Sequence, residues 1–188
     1  MPKLLVLFQS RSSDVVRLAE AAADGARSVR FAEVDLRRLP ISDDARDARD
    51  ARDARDAESG GRGRAHQLLQ HVDDIGHYDG LILAVEREGD ALSRALGAFG
   101  DPLTNKVGAV ITPATGAGRR AVLWSVLSPM ADRGMILVPA PFAGEGAGDE
   151  ESTRGLGKRV AEVIGWVTHA RSHHHHEHQH DHQSHHHH

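Results

Sequence analysis

Apolar and polar positions along the chain form blocks of two lengths. Five short apolar runs have the length of buried strands, since parallel strands covered on both faces show no polar alternation. The predicted strands lie at residues 3–8, 29–36, 78–85, 106–112 and 135–138. Longer stretches with apolar residues at helical spacing predict helices at 15–26, 64–72, 91–99, 121–131 and 153–170.

This alternation predicts a parallel sheet with helices on both faces, because parallel strands need crossover connections and right-handed crossovers dominate. With five strands, the expected order is 2-1-3-4-5, which is a flavodoxin-like, doubly wound α/β fold. Such sheets bind ligands beyond the carboxyl ends of their strands. The segments predicted to form a site are therefore 9–14, 86–90 and 113–119.

Two polar segments interrupt or follow the predicted domain, which spans residues 1–170. The first is an Asp-Ala-Arg repeat with its linker at 43–63, and it offers no apolar side chain larger than alanine for docking. The second is a histidine-rich tail at 171–188, which we expect to be disordered.

Composition narrows the possible functions. The net charge of −4 gives nucleic-acid binding no electrostatic support. The absence of cysteine excludes disulfides, thiol nucleophiles and thiolate metal sites, and it fits a reducing compartment. The first apolar run is too short for a signal peptide or a membrane span. We therefore expect a cytoplasmic protein that does not enter a membrane.

Three pieces of the chain carry a family resemblance: KLLVLFQSRSSDVVRLAEAAADGA, YDGLILAV and KVGAVITPATGAGRRAVLWSVLSPMADRGMILVPAPFAG. The chain resembles the flavodoxin-like NAD(P)H:quinone oxidoreductases of the tryptophan-repressor-binding-protein type. The resemblance implies an FMN cofactor, NAD(P)H and a quinone as substrates, and assembly as dimers or tetramers. The family's histidine before the RGM-like segment is not matched, so we assign no catalytic acid or base.

The first loop matches the family's phosphate-binding loop in part. Ser10 aligns with the family's serine, and Ser12 and Ser13 supply further hydroxyls. Phosphate sites use such hydroxyls together with backbone N–H groups at a helix N-terminus. Asp14 places a carboxylate nearby, where it would repel a phosphate. The alternative is that Asp14, or one of the two serines, simply caps the helix and no phosphate binds.

The second loop departs from the family's Thr-Pro-x-aromatic-Gly sequence. It contains Glu86 and Glu88 on either side of Arg87, which could contact a flavin carbonyl. The alternative is a plain polar turn between a strand and a helix.

The third loop is better preserved and keeps hydroxyls and glycines at a strand end. Glycine lets the backbone approach a planar ring or an anion. The predicted cofactor-binding residues here are Thr112, Pro113, Ala114, Thr115, Gly116 and Gly118. Arg119 and Arg120 add positive charge after the loop. The alternative is an ordinary sharp turn. Trp124 and Phe99 are candidate stacking residues, but because they lie on apolar helix faces we predict that both are core residues.

The tail is a candidate site for Zn or Ni, because imidazole is the commonest side-chain ligand for such metals. The candidate ligands are His173, His174, His175, His176, His178, His180 and His182. A purification tag and a solvated run without a role are the alternatives. A flavin-free domain that handles metal through this tail is the competing function. Zinc or nickel calorimetry before and after deletion of the residues that follow Arg171 tests it.

Overall fold

A computed structural model describes residues 1–9, 12–39, 69, 72–87, 103–140 and 148–180, with the backbone alone for 72–74 and 173–180. The predicted repeat insertion and the predicted helix at 91–99 lie outside the described residues. Most of the predicted helix at 64–72 also lies outside them. In the described part, no helix is long and apolar enough to cross a membrane.

The five strands form one parallel sheet in the order β2-β1-β3-β4-β5, which confirms the predicted order. They are β1 (Lys3–Phe8), β2 (Glu33–Arg38), β3 (Gly80–Ala84), β4 (Val107–Ile111) and β5 (Ile136–Leu137). The described helices are α1 (Ser13–Arg27), α2 (Gly116–Asp132) and α3 (Glu150–His180), with a 3-10 helix at Val72–His77. The register pairs Leu4 of β1 with Val34 and with Gly80.

The central strand β1 divides its side chains between two hydrophobic layers. Leu4, Val6 and Phe8 pack in the cluster that contains the apolar faces of α1 and α3. Leu5 and Leu7 point to the other layer, which contains the apolar face of α2. Both layers bury these residues almost completely, and each such side chain contributes about 1.5–3 kcal/mol. Burial on both faces explains why β1 has no polar alternation.

Some element boundaries differ from the prediction. Strand β2 begins at Glu33 rather than at residue 29, because Phe31 adopts a left-handed φ of 69° in the preceding turn. Helix α2 begins at Gly116, five residues before the predicted start. Helix α3 continues to His180, ten residues beyond the predicted end. Glycine is typical of loops, so the glycines at the start of α2 explain why the predicted start of this helix was five residues too late.

The prediction that Trp124 is a core residue is wrong, since 54% of its surface is exposed. The apolar face of α2 is formed instead by Val122, Leu123, Val126, Leu127 and Met130. Trp124 lies off that face of the helix. Phe99 lies outside the described residues.

A tyrosine hydrogen bond makes the fold less stable at alkaline pH than at neutral pH. Tyr78 Oη donates to Asp35 Oδ2 at 2.5 Å, joining the start of β3 to β2. Burial, followed by this hydrogen bond, raises the pKa of Tyr78 to about 12. A raised folded-state pKa means that the stabilisation is complete below the ordinary tyrosine pKa of 10.0 and is lost as pH rises towards about 12.

We expect Tyr78→Phe to lower the free energy of unfolding by about 1 kcal/mol at neutral pH, through loss of this hydrogen bond. Urea unfolding from neutral pH to about pH 11 should show a smaller loss of stability in the variant than in the wild type. Parallel pH curves for the two proteins would mean that Tyr78 does not cause the alkaline dependence.

Candidate functional site

The carboxyl ends of the parallel strands place several described segments at one edge of the sheet. Gln9 follows β1, residues 85–87 follow β3 and residues 112–115 follow β4. Residues 148–150 lead from the β5 side into α3. In doubly wound folds this edge is where ligands bind. The structure therefore places the described parts of the three predicted segments at the same edge of the sheet.

Helix α1 begins at this edge with Ser12 as its N-cap residue. The Ser12 carbonyl accepts a hydrogen bond from Val16 N at 3.2 Å, and its hydroxyl makes no capping hydrogen bond. Ser13 is the first helical residue and Asp14 lies in the first turn. Among the three candidate caps, Ser12 is therefore the one used. Ser10 lies outside the described residues.

The carboxylate of Asp14 is accompanied by a cation that the sequence analysis did not identify. Arg17 Nη2 lies 3.2 Å from Asp14 Oδ1, and Arg17 Nε lies 3.4 Å from Glu150 Oε1. All three side chains are at least half exposed, so each pair contributes at most about 1 kcal/mol. Arg17 offsets part of the repulsion that Asp14 alone would exert on a phosphate. The Asp14–Arg17 spacing of three was visible in the sequence, whereas the approach of Glu150 was not.

The segment after β3 places one cation at the edge. Val85 is buried, and its N–H donates to Ile111 O at 2.9 Å, which joins the ends of β3 and β4. Glu86 and Arg87 follow as exposed residues. Glu88 lies outside the described residues. Arg87 therefore lies at this edge, and its contact with a flavin carbonyl stays a prediction.

The segment after β4 has a buried base and an exposed tip. Thr112 is only 1% exposed, and its Oγ1 accepts a hydrogen bond from Ala114 N at 3.2 Å. Its hydroxyl therefore shapes the turn. Pro113 and Ala114 are half-buried, and Thr115 is the exposed N-cap residue of α2.

The predicted glycine-rich loop at 115–118 is in fact the N-cap and first turn of α2, which corrects the prediction of a loop there. Gly116 has a φ of 58°, which favours glycine because side chains rarely adopt it. A Cβ added at Gly116 or Gly118 would meet no atom of the described residues within 4 Å. The first backbone N–H groups of a helix lack intrahelical acceptors, so this open start presents donors.

The burial of Arg119 is the feature of this site that could not be predicted from the sequence. Arg119 was expected only to add positive charge after the loop, and the structure buries it, with 3% of its surface exposed. Its Nη1 donates to Thr112 O at 2.8 Å and approaches Ala114 O at 3.5 Å. Burial lowers the pKa of Arg119 from its ordinary value. No local sequence signal distinguishes it from Arg120, which is exposed.

Only Arg171 and Ser172 of the tail are described with their side chains. Helix α3 carries the backbone to His180, the side chains of residues 173–180 are not described, and His182 lies outside. Among the described side chains, no group of three or more His, Cys, Asp or Glu residues could hold a metal ion. Zinc or nickel binding by the tail stays a prediction.

Comparisons with known proteins give relatives that extend over most of the chain. It is 29% identical over 156 residues to an NAD(P)H dehydrogenase (quinone) of Acidithiobacillus ferrooxidans, covering 76% of this chain and 73% of the relative. It is 29% identical over 157 residues to a protein of the same name from Cupriavidus metallidurans, covering 78% and 74%. No family model matches the chain. The two relatives bear the name that the sequence resemblance implied.

Solved structures show the fold. A flavodoxin from the domain Archaea superposes with a TM-score of 0.56 at 14% identity, covering 87% of this chain and 99% of that one. The NAD(P)H:(acceptor) oxidoreductase FerB from Paracoccus denitrificans superposes with a TM-score of 0.51 at 16% identity, covering 89% and 98%. The predicted flavodoxin-like α/β fold is confirmed.

Proposed function

We propose that this chain, a relative of the flavodoxin-like NAD(P)H:quinone oxidoreductases, is itself an FMN-dependent NAD(P)H:quinone oxidoreductase. The observation that carries the proposal is the open, glycine-lined start of α2 at the carboxyl edge of the sheet. The relation to two NAD(P)H dehydrogenases (quinone), over three quarters of the chain, supports it.

The residues at this edge fit a flavin mononucleotide. A planar ring needs a surface without projecting side chains, and Gly116 and Gly118 leave space that a Cβ would enter. A phosphate needs backbone N–H groups and hydroxyls at a helix start, and Ser12 and Ser13 stand at the start of α1. The exposed acidic groups nearby do not exclude the anion, because Arg17 pairs with two of them.

Each segment then has a binding role. Ser12 and Ser13, with the first N–H groups of α1, would hold the phosphate, where the helix dipole favours negative charge. The first turn of α2 would hold the ring, and Arg87 would donate to a flavin carbonyl. The buried Thr112 hydroxyl would act through the shape of the turn.

The chemistry that FMN supplies when bound is transfer of a hydride equivalent from NAD(P)H to a quinone, with two electrons moved in each half-reaction. The chain's own contribution is to bind and orient the reactants. No side chain is assigned as a catalytic acid or base, because flavin chemistry does not require one from the protein.

We expect FMN titrated with the full-length protein, in the presence of a metal chelator, to lose its fluorescence with saturable one-to-one stoichiometry. Riboflavin lacks the phosphate, so it should bind about tenfold or more weakly if the start of α1 holds that group. With FMN bound and oxygen excluded, NAD(P)H oxidation beyond one equivalent should require a benzoquinone, because the reduced flavin then has no other electron acceptor.

The absence of saturable quenching at high micromolar protein, with no quinone-dependent oxidation of NAD(P)H, would overturn the proposed function. Equal affinities for FMN and riboflavin would overturn only the phosphate site at α1. The chelator keeps metal on the tail from affecting either result.

A further inference from the structure

Arg119 is a buried cation that the binding roles above do not use. Its side chain lies under the segment that follows β4, and only 3% of its surface is exposed. Removing a guanidinium from water is costly unless its hydrogen bonds are replaced. Here Thr112 O replaces one of them at 2.8 Å. A surface charge would not need such a location, so the burial indicates a specific role.

The hydrogen bonds of Arg119 determine the direction of the peptide groups above it. Its guanidinium draws the carbonyls of Thr112 and Ala114 towards the protein interior. In a trans peptide the N–H points opposite to the preceding carbonyl. The N–H of Thr115 therefore points away from the guanidinium. Arg119 N also donates to Thr115 O at 3.2 Å, so both its backbone and its side chain hold the turn.

A second segment, at Gly148, lies against the same guanidinium. Gly148 has a φ of 88°, and a Cβ built there would lie 2.3 Å from Arg119 Nη1. The same Cβ would lie 3.2 Å from Thr112 O. Gly148 N donates to Ser152 Oγ at 3.3 Å, in the first turn of α3. Arg119 thus lies between the segment after β4 and the segment that enters α3.

We propose that Arg119 is a positioning residue, which holds the backbone of residues 112–115 so that the start of α2 can receive FMN. It acts through carbonyl hydrogen bonds and does not touch the cofactor. The ligand in this proposal rests on the proposed function, whereas the hold on the backbone does not.

The test compares Arg119→Met and Arg119→Lys with Arg120→Met, which removes the same charge from an exposed position one residue later. We expect Arg119→Met to weaken FMN binding about tenfold or more, because two carbonyls lose their donor. Arg119→Lys should recover part of the affinity, since an ammonium can donate to a carbonyl but lacks the fork geometry. Arg120→Met should bind FMN as the wild type does.

Hydrogen exchange in the cofactor-free protein measures the hold on the backbone without any ligand. The amides of residues 114 and 119 donate within this turn. In Arg119→Lys we expect them to exchange about tenfold faster than in the wild type or Arg120→Met, because local opening becomes easier. If Arg119→Met does not fold, Arg119→Lys serves instead, since it keeps a cation at the same position and changes only the donor geometry.

The outcomes test the proposed function and the positioning role of Arg119 separately. Failure of the wild-type chain to bind FMN overturns the proposed function, and faster exchange in Arg119→Lys still supports the hold on the backbone. Unchanged exchange in Arg119→Lys overturns the positioning role. A lower unfolding temperature with unchanged FMN affinity in the folded Arg119 variants also overturns it, because a merely structural residue would behave in that way.

Discussion

Gly157→Ala is expected to lower the free energy of unfolding by about 2–3 kcal/mol, although alanine is the better helix former by about 1 kcal/mol. A Cβ added at Gly157 of α3 would lie 2.0 Å from the backbone oxygen of Ala22 in α1. That oxygen belongs to a helix backbone and cannot rotate away as a side chain can. Either the two helices separate or the local backbone distorts, and both disturb the packing of this layer.

A reciprocal contact, in which a glycine of α1 faces the backbone of α3, occurs about one helical turn away. A Cβ added at Gly25 of α1 would lie 1.9 Å from the backbone oxygen of Arg154 in α3. The two glycines therefore allow the helix backbones to approach each other closely. Ala22 and Ala26 of α1 are small residues buried in the same hydrophobic layer as the apolar face of α3. Gly25→Ala should destabilise the fold by a similar amount.

Helix α3 also contains the matched controls. A Cβ added at Gly155 or Gly165 would meet no atom of the described residues within 4 Å. Gly155→Ala and Gly165→Ala should therefore raise stability by up to about 1 kcal/mol through helix propensity alone. Urea unfolding followed by circular dichroism measures all four variants. A similar change at Gly157 and Gly155 would contradict the close helix contact.

The features that follow from local pattern were predictable from sequence. Strand β1 has the predicted bounds because its apolar run at residues 4–8 lies directly between the polar residues Lys3 and Gln9. The strand order follows from alternation and crossover handedness, which depend on the whole pattern and tolerate errors at the ends of elements. The predicted start of β2 was wrong because Phe31 is apolar but occupies a left-handed turn.

The features that depend on an unusual backbone conformation, or on contacts distant in sequence, were not predictable. Gly116 and Gly118 indicated a loop because glycine is a poor helix former, but a positive φ at Gly116 starts a helix. Arg119 and Arg120 are identical in type and adjacent, yet only Arg119 lies under the segment after β4. Gly148 contacts the side chain of Arg119 from the segment that enters α3, which lies 29 residues further along the chain.

Gly118→Leu is expected to weaken FMN binding by about 100-fold or more, equivalent to about 2.7 kcal/mol, while leaving the fold intact. Cβ atoms in an α-helix tilt towards the helix N-terminus, so a leucine here would project towards the carboxyl edge of the sheet. The described residues leave that space open at Gly118. If FMN occupies it, as we propose, the leucine and the ring compete for the same volume.

Stability separates this effect from misfolding. Gly118 lies in the first turn of α2 without a positive φ, so leucine should preserve the helix and its propensity favours it by up to about 1 kcal/mol. Gly165→Leu supplies the matched control, because it makes the same substitution at an open position in α3. It should leave FMN affinity unchanged.

The decisive measurement is FMN fluorescence quenching by both leucine variants, beside thermal unfolding of the cofactor-free proteins. Loss of quenching in Gly118→Leu alone, with wild-type unfolding in both, would place the ring against the first turn of α2. Wild-type FMN affinity in Gly118→Leu would mean that the ring lies elsewhere, because a leucine cannot share van der Waals volume with a bound ring. Arg87 and the segment after β3 would then become the next place to substitute.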